Sequence, residues 1–150
     1  MISGMEYSDS GLALTAHFEG LRLAAYQDGA GVWTIGYGHT DGVHKGMTCT
    51  AEQALEWLRE DVRDAESAVR RLVIVTLNQM QYDALVDFVF NLGAGAFERS
   101  TLLKKLNVGD YAGAAAQFKL WNLVDGAPSL GLTRRRAAEA DLFSGKAWRA

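Results

Sequence analysis

The sequence predicts an α+β chain that is mostly α-helical, with one β-hairpin near its start. Three observations predict it. Two β-rich runs, Leu23 to Gln27 and Val32 to Tyr37, flank the link Asp28-Gly29-Ala30-Gly31, which has the composition of a polar hairpin tip. From Thr50 onward apolar residues recur at helical spacing through most of the chain. Helix-starting and helix-ending residues punctuate that pattern, and only one proline interrupts it.

Residues 1 to 7 read as a lead-in, and Ser8 or Ser10 offers the N-cap of a first helix that ends near Glu19, before Gly20. The hairpin follows. Alternation along its second strand sends Thr34 and Gly36 to one face and Trp33, Ile35 and Tyr37 to the other. Thr40 to Thr48 is polar and glycine-rich, a surface loop. Thr50 with Gln53 forms a capping-box pattern before one long amphipathic helix, whose apolar face carries Leu55, Leu58, Val62, Ala65 and Val69. Leu72 to Thr76 reads as the entry to the next helix. Asn78 to Leu92, with the broad stripe Tyr82, Leu85, Val86, Val89 and Phe90, reads as a core helix stopped by Gly93-Ala94-Gly95. Ser100 to Asn107 is a short capped helix, Asp110 to about Trp121 an alanine-rich one, and Leu132 to Phe143 the last long one. Asn122 to Gly131, with Pro128, reads as a loop.

At 150 residues, 49% hydrophobic and 22% charged, the chain has the composition of one soluble globular domain spanning 1–150, which excludes disordered and collagen-like classes. A lone cysteine, Cys49, excludes an internal disulfide. No run of 18 apolar residues predicts a membrane span, and residues 1 to 11 lack the pattern of a signal peptide, so synthesis in the cytoplasm without export signal is expected. Net charge is −3, distributed as −3, −4 and +4 over successive thirds, which argues against nucleic acid as main partner. The basic last third fits attraction to an anionic polymer, or solvated faces. No His or Cys pair stands at ligand spacing; neither metal nor cofactor is expected, and His39 reads as a packing residue paired with an acid such as Asp61.

The chemistry lies between His17 and Thr40. Glu19 closes an apolar-periodic helix and faces the negative end of its dipole, the setting of a proton donor. Asp28 stands in the polar tip, and Thr34 six residues beyond it on the returning strand. Two acids in unlike settings on opposite walls of a cleft suit glycoside hydrolysis. The plainer alternative is a turn-capping Asp and a solvated Glu. Arg22 is placed behind Glu19 in a supporting role, or points into water.

The run E-G-x-R-L-x-A-Y-x-D-x-x-G-V-W-T-I-G-Y-G-H-T, read from Glu19 to Thr40, resembles the active-site stretch of the phage-type lysozymes, glycoside hydrolase family 24. The resemblance continues through Leu77 to Phe97, Ser100 to Asn107 and Gly131 to Phe143. It implies a lysozyme-like, two-lobed fold with a small hairpin lobe and a larger helical lobe. It also implies catalytic roles for Glu19, Asp28 and Thr34, and a sugar-binding side near Asn91, Phe97 and Ser100. An amide, an aromatic face and a hydroxyl suit a carbohydrate there, although C-capping, core packing and N-capping are equally natural uses. The implied activity is cleavage of the β-1,4 bond between N-acetylmuramic acid and N-acetylglucosamine in peptidoglycan glycan strands during bacterial lysis, by a monomer without stable membrane insertion. Release to the periplasmic wall through a separate holin-like partner is implied too. Two rivals stand beside it: a lytic transglycosylase, which needs no water-activating Asp, and a co-opted lysozyme-like domain kept as a peptidoglycan-binding or protein-interaction module.

Overall fold

The computed structural model describes residues 2–149. The order is α1 (Asp9–Glu19), β1 (Arg22–Gln27), β2 (Trp33–Gly36), α2 (Ala51–Asp61), α3 (Arg63–Leu72), α4 (Gln79–Leu92), α5 (Ala94–Arg99), α6 (Thr101–Asn107), α7 (Tyr111–Ala115), a 3₁₀ turn (Phe118–Leu120), β3 (Leu123–Val124), β4 (Ala127–Pro128) and α8 (Leu130–Phe143). The chain is thus a mostly helical α+β fold. It divides into a small hairpin lobe, Leu12–Arg63, and a larger helical lobe made of the residues before Leu12 and those from Asp64 onward.

In the small lobe β1 and β2 pair antiparallel, Tyr26 opposite Thr34 and Gln27 opposite Trp33, with an irregularity between Arg22 and Tyr26. Helix α1 starts where the Ser8 hydroxyl accepts the Gly11 N–H at 3.0 Å, and stops at Gly20, whose φ of +77° a side chain would resist. Thr50 caps α2 by accepting from the Gln53 N–H, one half of the expected capping box. The single long helix expected from Thr50 onward is in fact two. Val62 takes ψ −10°, which tightens the last turn of α2 and separates it from α3, yet Val62 stays fully buried, so the apolar stripe runs through the break.

In the larger lobe α4 is the axis. Every residue from Tyr82 to Val89 is buried, and Asn78 with Gln81 makes a reciprocal capping box at its start. The Phe88 ring meets Phe97, Phe118 and Trp121 edge-on at 6.2, 5.4 and 5.6 Å, an arrangement that aligns ring edges with ring faces. Three sequence expectations need correction here. Gly93 does end α4, but Ala94–Arg99 forms a further short helix directly after it. The alanine-rich segment is helical only to Ala115. Beyond it the backbone changes to i→i+3 bonds (Gln117 to Ala114, Leu120 to Gln117, Trp121 to Phe118), which seats Phe118 in the core. The expected loop around Pro128 contains a two-residue hairpin, made possible by Asp125 and Gly126 at φ +50° and +80°.

The larger lobe also buries charge. Arg135 of α8 forks onto Asp87 of α4 through Nε and Nη2 at 3.0 and 2.9 Å. Arg136 donates to the Asn91 side chain and stands with its guanidinium 5.2 Å over Phe88. Its Nε lies 2.9 Å from Glu139 Oε1, an ion-pair distance without hydrogen-bond alignment, and both residues are fully buried. Burial, and then the neighbouring Asp87 carboxylate, push the Glu139 carboxyl well above its ordinary value of 4.5. Burial likewise lowers Arg136. The folded state therefore keeps a proton on Glu139 that the unfolded chain gives up. Its contribution is complete below the ordinary carboxylate range and is lost as pH rises through the raised folded value. Glu139→Gln, which fixes the neutral form, is expected to flatten the fall of Tm with pH above about 4.5. Thermal melts of both proteins from about pH 4.5 upward check this; an unchanged slope would assign the dependence to another group.

Candidate active site

Glu19, Asp28 and Thr34 all belong to the small lobe, each carried by a different kind of element. Glu19 is the last residue of α1 and is half-buried. Asp28 begins the exposed hairpin turn, and Thr34 sits on β2 with only 5% of its surface exposed.

The turn is built by Asp28 itself. Its Oδ1 accepts the N–H groups of Ala30 and Val32, both at 2.9 Å, while its own N–H donates to the Val32 carbonyl at 2.9 Å. Asp28 therefore does cap its turn, as the plainer reading of the sequence has it. That use occupies one carboxylate oxygen and fixes the direction of the other. Thr34 is tied to the same point: its hydroxyl donates to the Val32 carbonyl at 3.0 Å. One backbone oxygen thus holds both Asp28 and Thr34. With its proton committed to Val32, the Thr34 oxygen is left to accept from whatever lies before it.

Behind β2 the chain turns sharply. Ile35 and His39 exchange both backbone hydrogen bonds, at 2.9 and 2.8 Å, and close the loop Gly36-Tyr37-Gly38. His39 then locks this loop to α2: its Nδ1 lies 2.8 Å from Asp61 Oδ2, and its ring stacks on Trp57 at 4.7 Å and 9°. The expected pairing of His39 with Asp61 is present. Gly36, at φ +66°, passes so close to α2 that a Cβ there would stand 3.1 Å from the Ala54 methyl. On the other side a Cβ on Gly38 would stand 3.2 Å from Glu19 Oε1. The braced loop is therefore the surface that the Glu19 carboxyl lies against. Arg22, expected behind Glu19, places its guanidinium 4.3 Å over the Tyr26 ring instead.

The remaining expected residues belong to the larger lobe, where each has a structural contact. Phe97 is fully buried against Phe88. Ser100 is 3% exposed and caps α6, accepting from Leu103 N–H while donating to the Phe97 carbonyl. Asn91 accepts from Arg136. Next to Asn91 and Ser100 in the chain, Leu92 and Thr101 line a groove of about 430 Å³ with Gln117, Leu120, Trp121 and Leu123. Leu120 and Leu123, both exposed, give the groove an apolar lining that no pattern in the sequence marks. No group of three or more metal-ligating side chains occurs among the described residues.

A small hairpin lobe with two acids in unlike settings and a larger helical lobe together define a lysozyme-like glycoside hydrolase. Residues 16–139 match the phage lysozyme family along their length. The endolysin of Acyrthosiphon pisum secondary endosymbiont phage 1 is 50% identical over 143 residues, 93% of this chain and 98% of its own. That of Salmonella phage P22 is 46% identical over 145 residues, 93% of this chain and 99% of its own. Among solved structures, the endolysin from Escherichia coli O157:H7 phage FAHEc1 superimposes with a TM-score of 0.90 at 40% identity, covering 99% of both chains. The chain belongs to the phage lysozyme family.

The His39 brace predicts a measurable cost. His39→Ala is expected to lose about 2 kcal/mol of folding stability through the lost Asp61 contact and Trp57 stacking. Urea unfolding checks the figure, and a change below about 0.5 kcal/mol, the range of ordinary surface substitutions, would mean the loop holds its shape unaided.

Proposed function

We propose that this chain is a peptidoglycan muramidase in which Glu19 is the general acid and Asp28 with Thr34 places the attacking water. The bond cut is the β-1,4 linkage from N-acetylmuramic acid to N-acetylglucosamine. Glu19 protonates the leaving glycosidic oxygen as the sugar gains oxocarbenium character. The observation that carries the water-placing role is the shared Val32 carbonyl. It consumes the Thr34 proton, so Thr34 Oγ1 and the outer oxygen of Asp28 both act as acceptors. A water between two acceptors donates both its hydrogens and turns a lone pair outward. That is the orientation a nucleophile needs, and attack from the face opposite Glu19 inverts the anomer.

The two lobes are read as parts of one muramidase domain, with the groove by Leu92 and Trp121 holding a non-reacting part of the wall polymer. In this reading Asn91, Phe97 and Ser100 contribute to binding by holding that groove's frame. No helix among the described residues is long and apolar enough to cross a membrane. Synthesis in the bacterial cytoplasm, action on the wall as a monomer, and release by a holin-like partner complete the proposal.

The test is clearing of purified Gram-negative peptidoglycan, with released fragments analysed by mass. Wild type is expected to yield hydrated reducing ends, and Glu19→Gln to lose activity by at least about 10²-fold with the fold intact, since an amide donates no proton in acid catalysis. Anhydro ends would mean a transglycosylase, and wall binding without clearing would mean a binding module. Thr34→Ser should retain most activity and Thr34→Val lose it, because only the former keeps an acceptor oxygen bound to Val32; equal activity of the two would remove Thr34 from the water site. Thr101→Arg, which fills the groove, should raise KM and leave kcat in place.

A further inference from the structure

We propose that Gly38 is a positioning residue for the acid: its missing side chain sets where the Glu19 carboxyl can stand. The inference rests on Glu19 being the proton donor, as proposed above, and adds the part of the site that aims it. Gly38 holds φ +87°, and a Cβ built on it falls 3.2 Å from Glu19 Oε1, closer than such contacts normally settle. The carboxyl therefore rests on bare backbone.

That backbone is fixed from behind. The Ile35–His39 hydrogen bonds close the loop, Asp61 and Trp57 hold His39, and Gly36 packs on Ala54. With the wall unable to retreat, any side chain at Gly38 must displace Glu19, whose carboxylate is the flexible partner. General-acid catalysis depends on the proton lying within hydrogen-bond reach of the leaving oxygen, so a shift of a few tenths of an ångström acts on the chemical step and leaves binding of the rest of the substrate alone.

A second glycine supplies the control. Gly46 holds the same φ of +87° in the small lobe's loop, but a Cβ on it meets nothing within 4 Å. Alanine at either position carries a left-handed backbone cost at the same φ; only Gly38→Ala presses on Glu19. Steady-state kinetics on soluble uncross-linked peptidoglycan fragments, with melting temperatures, are measured for wild type, Gly38→Ala, Gly46→Ala and Glu19→Gln. Gly38→Asn is added because asparagine tolerates a left-handed φ better than alanine and still carries the Cβ. The expected result is a loss of about tenfold or more in kcat for Gly38→Ala and Gly38→Asn at unchanged KM, while Gly46→Ala melts lower yet turns over as wild type does. Turnover by the folded Gly38 variants equal to that of Gly46→Ala overturns the positioning role even if Glu19→Gln is inactive. Wild-type turnover by Glu19→Gln would instead remove the acid itself, and the positioning role with it.

Discussion

The carbonyl oxygen of Val32 is the fixed point of the small lobe's chemistry. It receives the Asp28 N–H and the Thr34 hydroxyl, so the turn that closes the hairpin and the two groups proposed to place the nucleophile share one anchor. Asp28 answers by accepting two N–H groups of the same turn on one oxygen. The exposed acid is thereby rigid without being buried, which combines access to water with a defined direction. Capping the turn does not compete with the role proposed for Asp28, since it fixes the direction of the carboxylate.

The larger lobe solves a different problem. It takes Asp87, Arg135, Arg136 and Glu139 wholly or almost wholly out of water. Arg135 and Asp87 form a two-bond fork, the geometry in which attraction best offsets desolvation. Arg136 and Glu139 have no such alignment, and the lowest-cost state for Glu139 is the neutral one. The Arg136 guanidinium, resting on the Phe88 face, fills space as well as standing at ion-pair distance from Glu139. Helices α4 and α8 are registered against each other by these contacts along with the aromatic cluster, and a specified register is the best-attested use of buried polar groups.

What the sequence made legible follows from what short-range chemistry determines. Capping patterns at Thr50, Ser100 and Asp110 located helix starts because each requires only a side chain and a nearby N–H. Glu19, Asp28 and Thr34, the residues proposed for the reaction, come from one stretch of motif. The break at Val62 was illegible, since the apolar period continues through it and only ψ changes. The short helix after Gly93 was hidden by glycines that read as a stop, and the 3₁₀ turn at Phe118 by alanines that read as continuing helix. The partner of Arg135 is Asp87, 48 residues away, and a pairing that distant leaves no local pattern. The Asp125-Gly126 turn, by contrast, carried a readable hairpin signal that the neighbouring proline obscured.

Glycine shows the same division most sharply. Gly38 and Gly46 have one backbone angle and opposite surroundings, a carboxylate oxygen for the first and open space for the second. In sequence both are simply loop glycines. The difference between them arises only once α1 has ended at Glu19 and the Ile35–His39 bridge has brought the chain back beside it. A helix terminus places Glu19, a hydrogen-bonded loop confines it, and a turn aims Asp28, so both acids stand where an element stops. Residues at such ends have backbone that is not fully committed to a ladder, which leaves their side chains free to be held by a few specific contacts. The small lobe needs little core of its own for this. It needs ends that are fixed, and the contacts of Val32, His39 and Asp61 are what fix them.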